Sequence, residues 1–180
     1  MQKSVLVSAG LLVCVAIGAA LTLAKQDKSK RPSPPAKAEC KLPGGKSVVI
    51  DYSSPHMKGR KIFGGLVPYG QVWRAGANES TTFVTDIDLT VGGTTVPAGS
   101  YTIFAIPNPD KWTLVISKKT GEWGTAYPGP GNDLARIDMK ASRRSVPLEN
   151  FTISLEPSGA NCTLNMDWET TNASVEIAKK

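Results

Sequence analysis

The chain has 180 residues, which is enough for one domain with appendages. Its formal net charge of +6 is carried by residues 1–47, and residues 48–180 have equal numbers of basic and acidic side chains. A nucleic-acid-binding protein needs its basic residues on the folded surface that meets phosphate, so we expect no nucleic-acid partner. The single histidine, His56, rules out a three-histidine zinc site, and we expect no metal and no cofactor.

Residues 1–24 resemble a targeting segment. A short positive stretch precedes an uncharged apolar run from Val5 to Ala24. This pattern predicts a signal peptide or an uncleaved signal-anchor helix, since small residues near its end permit cleavage and its length suffices to span a bilayer. If uncleaved, residues 5–24 would tether the protein to the membrane. Basic residues just beyond the apolar run favour a cytoplasmic domain by the positive-inside rule. The two cysteines of the domain, Cys40 and Cys162, favour export instead.

Residues 25–39 are rich in proline and lysine, and this composition predicts a linker between the apolar helix and a globular domain at 40–180. Two cysteines, Cys40 and Cys162, flank that domain. An even pair of this kind predicts a disulfide in an oxidising compartment, and hence a periplasmic or extracellular location. Two unrelated buried thiols are the alternative.

Beyond residue 40 the apolar side chains alternate with polar ones, as in Phe151, Ile153 and Leu155. This period of two predicts strands with one dry and one wet face. Glycine and proline turns, including Gly92-Gly93, separate them. We therefore predict an all-β domain, an antiparallel two-sheet sandwich of jelly-roll-like form. About eight strands are expected, at 47–53, 71–75, 80–91, 99–106, 111–118, 133–140, 148–156 and 162–169. After 162–169 the chain is expected to turn back, with 173–178 as the returning segment.

Two stretches do not have the pattern of plain strands: Ser53 to Glu79 and Thr120 to Asn132. Long ordered connections in a compact domain are often functional, or they cover an open sheet end. The first contains the run Ser-Pro-His-Met-Lys-Gly-Arg-Lys-Ile-Phe-Gly-Gly-Leu-Val-Pro-Tyr-Gly-Gln-Val-Trp-Arg-Ala-Gly-Ala-Asn-Glu at 54–79.

This run is similar to the signature of a bacterial exported family known as domain of unknown function 2911. Further matching features are the segment Pro97 to Tyr101, Trp112, Trp123-Gly124, and Asp133 with Arg136. The similarity covers nearly all of residues 47–178. It implies an envelope or extracellular β domain and no particular activity.

The best candidate binding cluster lies in the same run and comprises Arg60, Trp73, Arg74, Asn78 and Glu79. Arginine binds carboxylate or phosphate through two parallel hydrogen bonds, and aromatic rings stack on sugars or on guanidinium groups. Because Trp73 and Arg74 are adjacent, a regular strand would send them to opposite faces. A buried Arg–Glu network that only holds the loop in shape is the structural alternative.

These residues support two hypotheses about function. In the first, the domain is a non-catalytic binding or structural module of the cell envelope, with a carbohydrate, a peptide or a small anion as ligand. In the second, it is an envelope hydrolase or isomerase that uses Glu79 or Asp133 with Arg60 and Arg74. The second requires all four side chains to converge in one cleft.

Overall fold

The computed structural model describes residues 27–180, and it consists almost entirely of β-strands. The targeting segment predicted at 1–24 lies outside the described residues. Nine strands are hydrogen-bonded in one antiparallel sheet, together with two single-turn 3₁₀ helices at Lys28–Lys30 and Pro130–Asn132. The strands are β1 (Pro35–Leu42), β2 (Lys46–Ser53), β3 (Thr82–Thr85), β4 (Leu89–Val91), β5 (Thr94–Val96), β6 (Gly99–Ile106), β7 (Lys111–Ser117), β8 (Asp133–Ser158) and β9 (Asn161–Lys179).

The strand order is β1-β2-β3-β6-β7-β8-β9-β4-β5, and every neighbouring pair is antiparallel. The all-β antiparallel class is therefore confirmed. The prediction of two separate sheets is not confirmed, because hydrogen bonds connect all nine strands. The long strand β8 pairs with β7 between Asp133 and Lys140 and with β9 between Lys140 and Ser158.

The sheet curls until the chain after β2 meets β8. Directly after β2, the carbonyl oxygen of Pro55 accepts from the amide of Phe151, and the amide of Met57 donates to Glu149, each at 2.8 Å. These bonds link the chain after β2 to the second half of β8. As a result, the apolar faces of all nine strands contribute to a single buried core, as in a sheet that closes upon itself.

The disulfide between Cys40 and Cys162 is present, which confirms that prediction. It joins β1 to β9, which are not neighbours in the sheet, with a Cα–Cα distance of 6.5 Å. Both cysteines are buried in the core. The bond therefore holds the edge strand β1 against the face of the curled sheet.

Several predicted elements differ from the structure. Strand β1 begins at Pro35, inside the segment 25–39 predicted as a linker. The predicted strand 71–75 is a loop with a single bridge between Trp73 and Ala105, and 80–91 is divided into β3 and β4. The return predicted at 173–178 is absent, since β9 continues through Thr171 and Asn172 and pairs with β8 there. The Gly92-Gly93 hairpin is confirmed between β4 and β5.

Candidate functional site

The loop 54–81 crosses one end of the curled sheet and inserts aromatic side chains into it. Trp73 pairs with Ala105 of β6 through two backbone hydrogen bonds of 2.8 Å. Its indole lies nearly parallel to that of Trp168, with ring centroids 5.9 Å apart and an interplanar angle of 20°. Phe63, Trp112 and Phe151 surround the pair, mostly edge-on. This aromatic cluster anchors the loop, because aromatic side chains bury a large apolar area and pack with defined geometry.

Above the cluster lies a cavity of about 340 Å³, which we call the Arg74 cavity. Three of the predicted ligand-binding residues line it together: Arg60, Trp73 and Arg74. The expectation that Trp73 and Arg74 would face opposite ways does not apply here, because the chain at 71–75 is a loop rather than a regular strand. The complete lining comprises Ser33, Pro55, Arg60, Leu66, Val67, Trp73, Arg74, Gly76, Ala77, Thr125 and Trp168.

Neither arginine of the cavity has a carboxylate within 4.0 Å among residues 27–180. Nε of Arg74 donates to the carbonyl oxygen of Gly76 at 3.2 Å. Arg60 donates through Nε to the carbonyl oxygen of Met57 at 2.8 Å and through Nη2 to that of His56 at 2.7 Å. Backbone carbonyls therefore orient both guanidinium groups without neutralising their charge.

Arg74 is partly buried, and this desolvation lowers the pKa of its guanidinium below its ordinary value. A buried positive charge without a counter-ion is unfavourable, and proteins normally pair such a group. An anion that entered the cavity would supply the missing partner. The electrostatics of the site thus favour binding of a negatively charged group.

The backbone that presents Arg74 is held in an uncommon conformation. Ala75 and Asn78 both have positive φ angles, +50° and +58°. Each such non-glycine residue costs on the order of 1 kcal/mol or more, and such strain tends to accumulate at functional sites. Between them, Gly76 is obligatory, since an added Cβ would lie 2.9 Å from Oγ1 of Thr81 and 3.1 Å from the carbonyl oxygen of Ser53. The loop keeps this geometry because Ala75 is fully buried and its carbonyl accepts from Thr81.

The other two predicted binding residues, Asn78 and Glu79, do not line the Arg74 cavity. They bind the segment that precedes β1. Nδ2 of Asn78 donates to the carbonyl oxygen of Ser33 at 2.9 Å, and the carboxylate of Glu79 accepts two bonds from Nη1 of Arg31, at 2.8 and 3.0 Å. Nζ of Lys28 lies 2.8 Å from the same carboxylate. Hydrogen bonds from Lys28 and Arg31 lower the pKa of Glu79 to about 2.

An Arg–Glu network, the structural alternative, therefore exists for Glu79, but its arginine is Arg31 and not Arg60 or Arg74. Sequence reasoning missed Lys28 and Arg31 because the charged, proline-rich segment was interpreted as a linker. Contacts between residues 48 positions apart leave no local signal in a sequence. Trp168 lies in the predicted strand 162–169, and its part in the cavity was also missed.

The carboxylates required by the enzyme hypothesis do not converge with the two arginines. Asp133 accepts from the hydroxyl of Tyr127 and from Nε of Arg136, at 2.8 Å each. Neither Asp133 nor Glu79 borders the Arg74 cavity. His56 forms an isolated bridge with Asn150 on β8 and is likewise not part of the lining.

Within residues 27–180 there is no group of three or more His, Cys, Asp or Glu side chains arranged to hold a metal ion. The same residues include no helix that combines the length and the hydropathy needed to cross a membrane. The Arg74 cavity combines two arginines with the indoles of Trp73 and Trp168.

Comparison with known proteins places the chain in one family. Residues 33–177 match the family described as Protein of unknown function (DUF2911), so the chain belongs to that family and the sequence resemblance is confirmed. The match includes β1 and every residue that lines the Arg74 cavity. No curated protein and no solved structure matches the chain.

Proposed function

We propose that this protein is an exported, non-catalytic module of the cell envelope that binds a small anionic ligand in the Arg74 cavity. One observation carries the proposal: two guanidinium groups without a carboxylate partner, among the described residues, share a concave site with Trp73 and Trp168. Small-ligand sites are typically concave, mostly apolar and furnished with a few convergent polar groups. This combination is what the cavity offers.

Export is supported by the disulfide between Cys40 and Cys162, because structural disulfides persist mainly in oxidising compartments. The apolar run at 5–24 agrees with it, either as a cleaved signal or as a membrane tether. A binding role is supported over a hydrolytic one because an enzyme needs an acid, a base and a stabilising group around one reacting atom. The carboxylates predicted for that task, Glu79 and Asp133, are hydrogen-bonded elsewhere.

The test uses the full chain and its Arg74→Ala variant, with inorganic phosphate, benzoate and glucuronate as probes in titration calorimetry. We expect saturable binding of at least one anion by the wild type and a loss of about tenfold or more in the variant, since a charge-assisted hydrogen bond contributes roughly 1.5–3 kcal/mol. Arg143→Ala is the matched control, because Arg143 is exposed and does not line the cavity.

Thermal unfolding of the same variants separates binding from folding. If Arg74 serves the ligand, Arg74→Ala retains the wild-type melting temperature or exceeds it, because an unpaired charge has been removed from a partly buried site. A lower melting temperature with unchanged anion binding would contradict the proposal and indicate a structural arginine. Failure of all three probes to bind the wild type would also contradict it.

A further inference from the structure

We infer that the ligand of the Arg74 cavity is a carboxylic acid with a compact apolar body, rather than a sugar or an inorganic anion; this inference rests on the proposed function. The cavity has two chemically distinct parts. One part carries the guanidinium groups of Arg60 and Arg74. The other, which we call the apolar wall, comprises the apolar lining residues Pro55, Leu66, Val67, Trp73, Ala77 and Trp168.

The free donors in the charged part are sufficient to bind one carboxylate. Nε of Arg74 and both Nε and Nη2 of Arg60 are bound to backbone carbonyls. The nitrogens that have no partner within residues 27–180 are Nη1 and Nη2 of Arg74 and Nη1 of Arg60. A planar carboxylate accepts a bidentate pair from a guanidinium and one more bond from a neighbour. An inorganic phosphate can accept from the same N–H groups, so the apolar part of the lining distinguishes the two classes of anion.

The rest of the lining is unsuited to a sugar. Apart from the arginines and the indole N–H groups of the two tryptophans, the polar side chains of the described lining are the hydroxyls of Ser33 and Thr125. A pyranose ring carries several hydroxyl groups, and each one that leaves water without a new hydrogen bond costs free energy. Side chains with an amide or carboxylate oxygen, which would satisfy a sugar, are missing from the described lining.

The apolar wall is partly exposed to water in the free protein. Leu66, which lines the cavity, has 48% of its surface accessible. A ligand with an apolar body would cover this side chain and gain the free energy of removing it from water, whereas a hydrated inorganic anion would not. The volume of about 340 Å³ lies at the low end for small-ligand sites, which favours a body of about one ring.

The experiment compares five probes on the full chain by titration calorimetry: benzoate, cyclohexanecarboxylate, benzamide, glucuronate and inorganic phosphate. We expect both apolar carboxylates to bind. Benzamide, which has the shape of benzoate without its charge, should bind at least about tenfold more weakly, because it cannot form charge-assisted bonds with the arginines. Glucuronate and phosphate should also bind at least about tenfold more weakly, since neither covers the apolar wall.

The variant Leu66→Ser isolates the apolar contribution. It should weaken benzoate about fivefold and leave any residual phosphate binding unchanged, because it removes apolar contact and no charge. Val146→Ser is the control, since Val146 is 67% exposed and does not line the cavity. Phosphate or glucuronate binding as tightly as benzoate would overturn the inference, as would unaltered benzoate binding in Leu66→Ser.

The failure of this inference can be distinguished from failure of the proposed function. If phosphate or glucuronate binds in an Arg74-dependent way and the apolar carboxylates do not, the ligand class assigned here is wrong and the anion-binding function stands. If none of the four anions binds, both are wrong.

Discussion

Reduction of the bond between Cys40 and Cys162 should remove a large part of the stability of the domain. The two cysteines are separated by 122 positions in the chain. For a closed loop of that length, the chain-entropy relation gives a stabilisation of about 5 kcal/mol at 25 °C. Single domains are stable by only about 5–15 kcal/mol in total. We therefore expect the reduced domain to lie close to its unfolding transition.

The assay is urea unfolding of the oxidised and the reduced protein, followed by the fluorescence of the buried Trp112 and Trp168. Reduction retains both cysteine side chains, so it opens no cavity in the core. The difference in free energy of unfolding between the two forms therefore reports the crosslink itself. Strand β1 should loosen first, because β2 is its only partner in the sheet, and its amide hydrogens should exchange faster.

The control is Cys40→Ala, which has no such bond and should show the same unfolding curve with and without reductant. A difference below about 1 kcal/mol between oxidised and reduced wild type would refute the reasoning, given the loop length. Such a result would mean that packing of β1 on β8 and β9 alone determines its position.

Two further predictions concern side chains that join distant parts of the chain. Glu79→Gln removes the ion pair with Arg31 and should lower the free energy of unfolding in urea by up to about 1 kcal/mol, since the carboxylate is partly exposed and screened. Glu39→Gln, at a solvent-exposed ion pair, is the control. Because the pKa of Glu79 is lowered to about 2 from the ordinary 4.5, its contribution to the free energy of unfolding is complete above about pH 4.5 and is lost as the pH falls toward 2. Equal pH dependence of stability in wild type and Glu79→Gln would contradict this. Tyr52→Phe leaves the buried amide of Ile153 without its hydroxyl partner at 3.0 Å and should cost about 1–2 kcal/mol by the same assay. Burial raises the pKa of Tyr52, so the stabilisation by Tyr52 is complete below pH 10 and declines as the pH rises above it. The loss of stability at alkaline pH should therefore be smaller in Tyr52→Phe than in the wild type. An equal loss in both proteins would contradict this prediction.

The alternation of apolar and polar residues predicted the strands that have large apolar side chains on one face. The prediction of 99–106 coincides with β6, and 47–53 and 111–118 differ from β2 and β7 by a single residue each. Strand β1 was missed because its buried positions are Ala38, Cys40 and Leu42, two of which are small, and because proline and lysine dominate its flank. It forms as an edge strand paired with β2, where a proline at the first position is tolerated.

Part of the proposed grouping of candidate residues agrees with the geometry of the structure. Arginine and tryptophan in a glycine-rich loop indicated a ligand-binding region, and Arg60, Trp73 and Arg74 do share one cavity. The same reasoning grouped Asn78 and Glu79 with them, because the five are close in the sequence. The loop turns sharply at Ala75 and Gly76, and the two later residues therefore point toward the segment before β1.

By itself, the sequence determined which residues face the core, where the long loops lie, and which two cysteines are available for a disulfide. Those properties depend on a period of two residues, on turn chemistry and on composition, all of which are local. Only the tertiary structure decided that Trp168 would stack on Trp73, that Arg31 would neutralise Glu79, and that Arg60 and Arg74 would remain without a carboxylate in the described chain. These pairings join positions that are distant along the chain, and they follow from the curl of the sheet, which no local pattern encodes.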